Sequence, residues 1–323
     1  MNASYDKNAA VVVLPPVSGG RLRDASLRTW LARSNLSHEV GPTELLARVI
    51  QEIGLPYPDG GFAALRMWGQ TGDRPVNWIA AADPIYLEPR LDHLCLHALR
   101  RTGVEPAQMR SLIDHLQITL GSDKAFGFTR LGSYGYVSAS RPIATASMPA
   151  YVVDQQKPDD YLPSGENAAA HRNLLSEIEM ALHEHEVNLE RESDGQLPVN
   201  SLWLWGGGTA PEQITRAQPP LFSDDGLLTG YWYSGTGVAA PWPGSISRCI
   251  EQSVAGFVAE TPEFDDCATL LVECLNELHE ALRSGRLSSL ILLFRDGICA
   301  EVRRSHSMRV WRRSSHLLEP NAS

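Results

Sequence analysis

A chain of 323 residues, 43% hydrophobic and 20% charged, can bury a large core and is no disordered tail. Its 28 Lys+Arg stand against 38 Asp+Glu, a formal net charge of -10 that excludes a generally phosphate-seeking, nucleic-acid-binding surface. No apolar run approaches the roughly 18 residues of a membrane span. Met1–Ala10 leads into Val11-Val12-Val13-Leu14-Pro15-Pro16, too short and Pro-rich for a secretory leader, so a soluble, cytoplasmic protein is expected. Cys95, Cys249, Cys267, Cys274 and Cys299 contain no Cys-x-x-Cys pair and read as reduced thiols rather than a disulfide framework.

Taken in chain order, residues 1–10 read as a flexible start and 11–153 as an N-terminal α/β half. Val11–Leu14 is strand-like. A helix runs through Glu44–Ile53 and stops at Gly54. Trp78–Ala82 and Ile85–Leu87 predict two short strands broken by a turn at Asp83-Pro84. Pro106–Leu120 is a helix with Pro near its start and Gly121 at its end. Phe126–Leu131 and Tyr136–Ala139 form a hairpin across Gly132-Ser133-Tyr134-Gly135. The Pro-, Asp- and Gly-containing stretch 154–167 is the predicted linker, and 168–313 the C-terminal half, ahead of a tail at 314–323.

That second half starts with a helix whose Leu174, Leu175, Ile178, Ala181, Leu182 and His185 fall on one stripe. Ser201–Trp205 is a strand ending in a three-glycine corner. Helices are expected through Ser247–Val258 and Ala268–Arg283, and Arg295-Asp296-Gly297 joins Ser288–Phe294 to Ile298–Arg303 as a hairpin. Strands alternate with helices while hairpins intrude, so the fold class is α/β, a mixed sheet flanked by helices.

The richest stretch carries Asn188, Arg191, Asn200, Trp203, Trp205 and Gly206, Gly207, Gly208. Ligands bind outside the carboxyl edge of open α/β sheets. Glycine backbone N–H groups can approach an anion closely, with a bidentate arginine and two amides beside it. The sharp reading is a ligand site for a small anionic metabolite, with Trp203 and Trp205 on one strand face as its wall. The bland reading is a tight turn with capping amides over a core slab of indoles. Gly-Gly-Gly has neither the Walker lysine nor a G-x-G-x-x-G helix signature.

The run His171–Gly208, above all Asn188-x-x-Arg191 and Pro198-Val199-Asn200-Ser201-Leu202-Trp203-Leu204-Trp205-Gly206-Gly207-Gly208, resembles the bacterial RpfE-type regulatory proteins. Ala82-Asp83-Pro84, Ala281–Leu287 and Arg309–Arg313 extend the resemblance over most of the chain. It implies a cytoplasmic regulatory protein with no demonstrated reaction. The same block is distantly similar to archaeal-type cofactor-independent phosphoglycerate mutases, which implies an alkaline-phosphatase-like α/β scaffold with two divalent metals and a nucleophilic hydroxyl. The chain departs from that pattern. Val13–Gly20 offers no carboxylate after the first strand, and Asp265, Asp266 and His279 do not reproduce the late ligand set.

Remaining constellations are weaker. His183 and His185 lie about 200° apart on a helix and cannot share an ion. His93 and His97 are the local metal-like pair, and no metal or cofactor is expected. The lack of Gly-x-Ser-x-Gly argues against a nucleophile-elbow serine hydrolase. Arg303, Arg304, Arg309, Arg312 and Arg313 form a basic patch that could steer an acidic protein partner, or simply guard a sheet edge. Three readings result: a non-catalytic regulator binding an anionic metabolite, a metal-dependent phosphoglycerate mutase or phosphatase-like enzyme, and a protein-interaction module working through the arginine-rich end.

Overall fold

The structure, a computed structural model, describes residues 8–39, 43–99, 103–121, 125–165, 168–212, 216–253, 255–263 and 267–319. It consists of two compact units, one made of Met1–Tyr57 with Gln213–Ser323, the other of Pro58–Glu212. The second is thus inserted into the sequence of the first. The Pro-rich 154–167 stretch, expected as the linker, belongs to the second unit, where Pro158–Tyr161 forms a 3-10 turn.

In chain order, the first unit opens with β1 (Ala9–Leu14), α1 (Ala25–Ala32), β2 (Asn35–His38) and α2 (Leu45–Ile53). Asp24 accepts from the Ser26 and Leu27 N–H groups to start α1, Glu44 accepts from Leu46 to start α2, and Gly54 closes α2 at φ 66°. The second unit holds α3 (Phe62–Thr71), β3 (Ile79–Pro89), β4 (Leu94–Ala98), α4 (Pro106–Leu120), β5 (Phe126–Leu131), β6 (Tyr134–Ala139), α5 (Ala168–Leu182), α6 (Glu186–Ser193) and β7 (Ser201–Gly208). The chain then returns through β8 (Leu221–Phe222), α7 (Gly226–Tyr233), β9 (Ala239–Ala240), α8 (Ile246–Gln252), β10 (Phe257–Glu260), α9 (Ala268–Ser284), β11 (Ser289–Phe294) and β12 (Ile298–Arg303).

The first unit is a seven-stranded mixed sheet in the order β2-β12-β11-β1-β10-β8-β9. β1 lies between β10 and β11 and is parallel to both, with Val11 opposite Val258 and Ile291. All six of its residues are buried, as an apolar run without alternation demands when both faces are covered. Leu271, Cys274, Leu275 and Leu278 of α9 pack into one core with Val12, Leu14, Leu290 and Leu292 of the sheet. The strands of the second unit pair antiparallel, ordered β4-β3-β6-β5 with β7 pairing β3, and Ala146 adds a single parallel bridge to Trp205. Both units are sheets flanked by helices, a mixed α/β architecture.

Three local expectations are corrected. β3 runs straight through Asp83-Pro84, because its pairing with β6 ends at Ala82 and that with β4 begins at Ile85. Pro84 therefore sits where no ladder donor is required, and its carbonyl still accepts from Leu99. The helix expected through Ser247–Val258 ends at Gln252, and the apolar Phe257-Val258-Ala259 becomes a central strand. Gly206–Gly208 continue β7 rather than leaving it as a loop.

Candidate functional site

The residues singled out around the three glycines are gathered about β7, and their polar groups serve the protein itself. Asn188 is 4% exposed, donates both amide hydrogens to the Leu182 and Val199 carbonyls at 2.8 and 2.9 Å, and accepts from the Val199 N–H. Arg191 donates from Nε to Leu197 O and from Nη1 to Gly103 O and Gln108 Oε1. Asn200 bridges the Leu87 N–H and carbonyl like a strand neighbour. Trp203 donates to Met148 O, and Trp205 to Asp83 Oδ2 at 2.6 Å. A Cβ at Gly206 would come within 3.0 Å of Phe62 Cβ, at Gly207 within 2.6 Å of the Trp78 ring, and at Gly208 within 2.6 Å of Gly61 N. The glycines admit neighbouring protein.

His185 does not continue its helix: it caps α6, accepting from Val187 N at 3.2 Å, while His183 is exposed. In the C-terminal arginine patch, Arg303 pairs with Glu301, and Arg304, Arg309 and Arg312 donate to the carbonyls of Arg283, Arg33 and Ser34; Arg303, Arg304, Arg312 and Arg313 are all exposed. Asp265 and Asp266 lie outside the described residues.

A different cluster forms where four parallel strands end together. β1, β8, β10 and β11 point the same way, so their carboxyl ends share one edge of the first unit's sheet. Past β1 come Val17 and Ser18, past β8 Ser223 and Asp225, at the end of β10 Glu260 and Thr261, and past β11 Arg295 and Asp296. The Arg295 guanidinium is ion-paired with Glu260, donates to Thr261 O at 2.8 Å, and lies 3.1 Å from Glu263. Ser223, 4% exposed, donates to Glu260 Oε2 at 2.8 Å and accepts from the Asp225 N–H at 2.9 Å. Asp225 in turn accepts from Leu227 and Leu228 to start α7. Asp296 Oδ2 accepts from the Val17 and Ser18 N–H groups at 2.8 and 2.6 Å.

Two buried atoms at this edge have no hydrogen-bond partner among the described residues: Asp296 Oδ1 and Arg295 Nε. Native proteins satisfy nearly all such groups, and this acceptor and donor lie at the carboxyl edge of the sheet, where open α/β sheets bind ligands. Burial pushes the Glu260 carboxyl above the ordinary carboxylate range, against the pull of Arg295, and the charge of Asp225 adds to the rise. Glu44, capped over by the Tyr57 hydroxyl at 3.1 Å, is pushed by burial to about 7. In the sequence Arg295-Asp296-Gly297 reads as a hairpin turn, and Ser223 stands in no recognisable motif. The signal was present: the apolar runs of β8, β10 and β11 close on Ser223, Glu260 and Arg295, visible as one site only once the strands are aligned.

This edge does not fit a pair of divalent ions. Such a centre needs several carboxylates and imidazoles around ions about 4 Å apart. Here Glu260 holds Arg295, Asp225 caps a helix, and Asp296 binds two backbone N–H groups. Among the described residues, the one grouping of three metal-ligating side chains within mutual reach is Glu88, Cys95 and His97, in the second unit.

No protein-family model matches the chain. The 2,3-bisphosphoglycerate-independent phosphoglycerate mutase of Methanosarcina acetivorans is 31% identical over 119 residues, 36% of this chain and 30% of that protein. The mutase 2 of Methanothermobacter thermautotrophicus is 34% identical over 110 residues, 33% of this chain and 27% of that protein. The chain thus matches about a third of the length of these curated relatives. The solved cofactor-independent phosphoglycerate mutase of Thermoplasma acidophilum aligns with a TM-score of 0.42 at 15% identity, over 92% of this chain and 90% of that one. The chain is distantly homologous to cofactor-independent phosphoglycerate mutases. That finding overturns the reading as a non-catalytic regulator, and the RpfE-type resemblance gains nothing from it. No helix among the described residues is long and apolar enough to cross a membrane.

Proposed function

We propose that the chain is a phosphoglycerate-mutase-like enzyme that moves a phosphoryl group on a small phosphorylated carboxylic acid at the carboxyl edge of the first unit's sheet. The observation that carries this reading is the set of relatives at about 30% identity, each named as such a mutase. The chemistry of the edge supports it. Ser223 is the hydroxyl nucleophile, its proton already directed at Glu260. A carboxyl raised by burial accepts that proton near neutral pH. Once Glu260 is neutral, the Arg295 charge it had compensated is released to meet the phosphoryl oxygens.

In this scheme Ser223 Oγ forms a bond to phosphorus as the ester P–O bond breaks, and the departing oxygen takes the proton held by Glu260. In the second half the acid's other hydroxyl attacks phosphorus and gives its proton to Glu260 as the Ser223 Oγ–P bond breaks and Oγ takes that proton back, an isomerisation; water attacking in the same way completes a hydrolysis. No step requires an ion, in keeping with a donor set that does not fit one. The test is the full chain with 3-phosphoglycerate, followed by phosphorus NMR with and without Mn²⁺. Formation of 2-phosphoglycerate or free phosphate is expected, falling at least about 10³-fold in Ser223→Ala. Absence of both products under all conditions rejects the enzyme reading, and activity that disappears on chelation rejects the Ser223–Glu260 route.

A further inference from the structure

We infer that Glu88, Cys95 and His97 form a zinc-binding site on the β3–β4 hairpin of the second unit. Antiparallel pairing places Glu88 directly opposite Cys95, and His97 follows two residues along β4, so all three side chains share one face of the ribbon. Their ligand atoms lie within 4.8 Å of one another, and His97 Nε2 is already 2.7 Å from Glu88 Oε2. Tetrahedral zinc with bonds of about 2.0–2.3 Å separates its ligands by roughly 3.3–3.8 Å, so side-chain rotation alone converts this triangle into a coordination sphere. A thiolate with an imidazole selects a borderline-soft ion such as Zn²⁺ over Mg²⁺ or Ca²⁺. Three protein ligands leave the fourth position open, for water or a small anion.

The scaffold is built to hold still. β4 is paired along β3, and on its other side Leu96 exchanges backbone hydrogen bonds with Gln155 and Gln156. Asp154 accepts from the Ala98 N–H, fixing the strand just past His97. The Tyr86 ring packs against the His97 imidazole, with ring centroids 5.9 Å apart, and Arg90 reaches Glu88 Oε2 at 2.7 Å. These contacts set ring and carboxylate orientation from outside the triangle, as outer partners do around protein-bound zinc. Cys95 is 8% exposed, shielded enough to be protected and open enough to be reached from solvent. The site shares no residue with the sheet edge of the first unit and stands whether or not the proposed phosphoryl transfer does.

The test is titration of the full, reduced chain with Co²⁺ as a spectroscopic stand-in, followed by displacement with Zn²⁺. One cobalt per chain with a thiolate-to-cobalt charge-transfer band is expected, bleached by Zn²⁺. Cys95→Ser should abolish the band, and His97→Ala should weaken binding by more than the ~10–100-fold typical of losing an outer partner. Cys299→Ser should leave both unchanged. If Cys95→Ser fails to fold, Glu88→Gln and His97→Ala decide the matter in its place. No band in the wild-type chain, or a band that survives in Cys95→Ser or is undiminished in both Glu88→Gln and His97→Ala, overturns the proposal.

Discussion

Arg66 in the second unit and Arg295 in the first are both buried beside a carboxylate, yet their surroundings differ in kind. Arg66 donates to Tyr136 Oη, Asp83 Oδ1 and Gly135 O, and its guanidinium carbon lies 4.8 Å from the ring centres of Tyr134 and Tyr136 and 5.4 Å from that of Trp205. Each nitrogen has a partner, and Asp83 is held from a second side by the Trp205 indole. Arg295 holds Glu260 and Thr261 O but keeps a buried Nε without a partner among the described residues. A fully satisfied network rigidifies its surroundings. An incompletely satisfied one at a sheet edge leaves its arginine free to take another partner, as the proposed function requires.

The contrast is sharpest under mutation. Asp83→Ala strands the Arg66 charge and the Trp205 N–H in the interior and should cost about 3–5 kcal/mol of stability, read as a drop in the urea midpoint. An unchanged midpoint would deny the second unit its lock. Next in size is a pH effect in the first unit. Glu44 has a folded-state value of about 7 against an ordinary 4.5, so its contribution is fully present below pH 4.5 and is lost as pH rises through 7. About 2.5 units correspond to roughly 3 kcal/mol. Glu44→Gln should remove that share of the slope and be more stable than wild type at pH 8, measured by denaturation at pH 5 and 8. Smallest on stability is Ser223→Ala, at about 1–2 kcal/mol, because it leaves Glu260 Oε2 and the Asp225 N–H without the hydroxyl. A much larger loss would make Ser223 a lock like Asp83 rather than a group kept for chemistry.

Much of the fold could be read locally. α4 begins at Pro106 and ends at Leu120, and β11 and β12 flank the Asp296-Gly297 turn, because caps and turns are written in adjacent residues. β10 was hidden because a four-residue apolar strand following α8 cannot be told from helix until its partner β1 is known. The mixed α/β class survived these errors, since it depends on alternation more than on boundaries. The sheet-edge cluster was illegible for a stronger reason: Ser18, Ser223, Glu260 and Arg295 come from four separated stretches and meet only through strand register. Glu88 and His97 suffered likewise, nine positions apart and brought into contact by the hairpin. Asn188 and Asn200 were conspicuous as polar residues in an apolar block. Such residues are conspicuous equally when they bind ligand and when they staple backbone, and pattern cannot separate the two.

The order in which strands arrive has consequences at the ribosome. β1 is made well before its neighbours β10 and β11, which appear only after residue 256, with Ala9 opposite Ser289. Ala9-Ala10-Val11-Val12-Val13-Leu14, entirely buried in the folded chain, must therefore wait as an unpaired sticky segment until those strands have been made. The inserted unit has every strand it needs by residue 212 and can collapse on its own while the outer sheet is still incomplete. Nascent-chain aggregation and chaperone demand should accordingly concentrate in the outer sheet, whose closure must await β10 to β12.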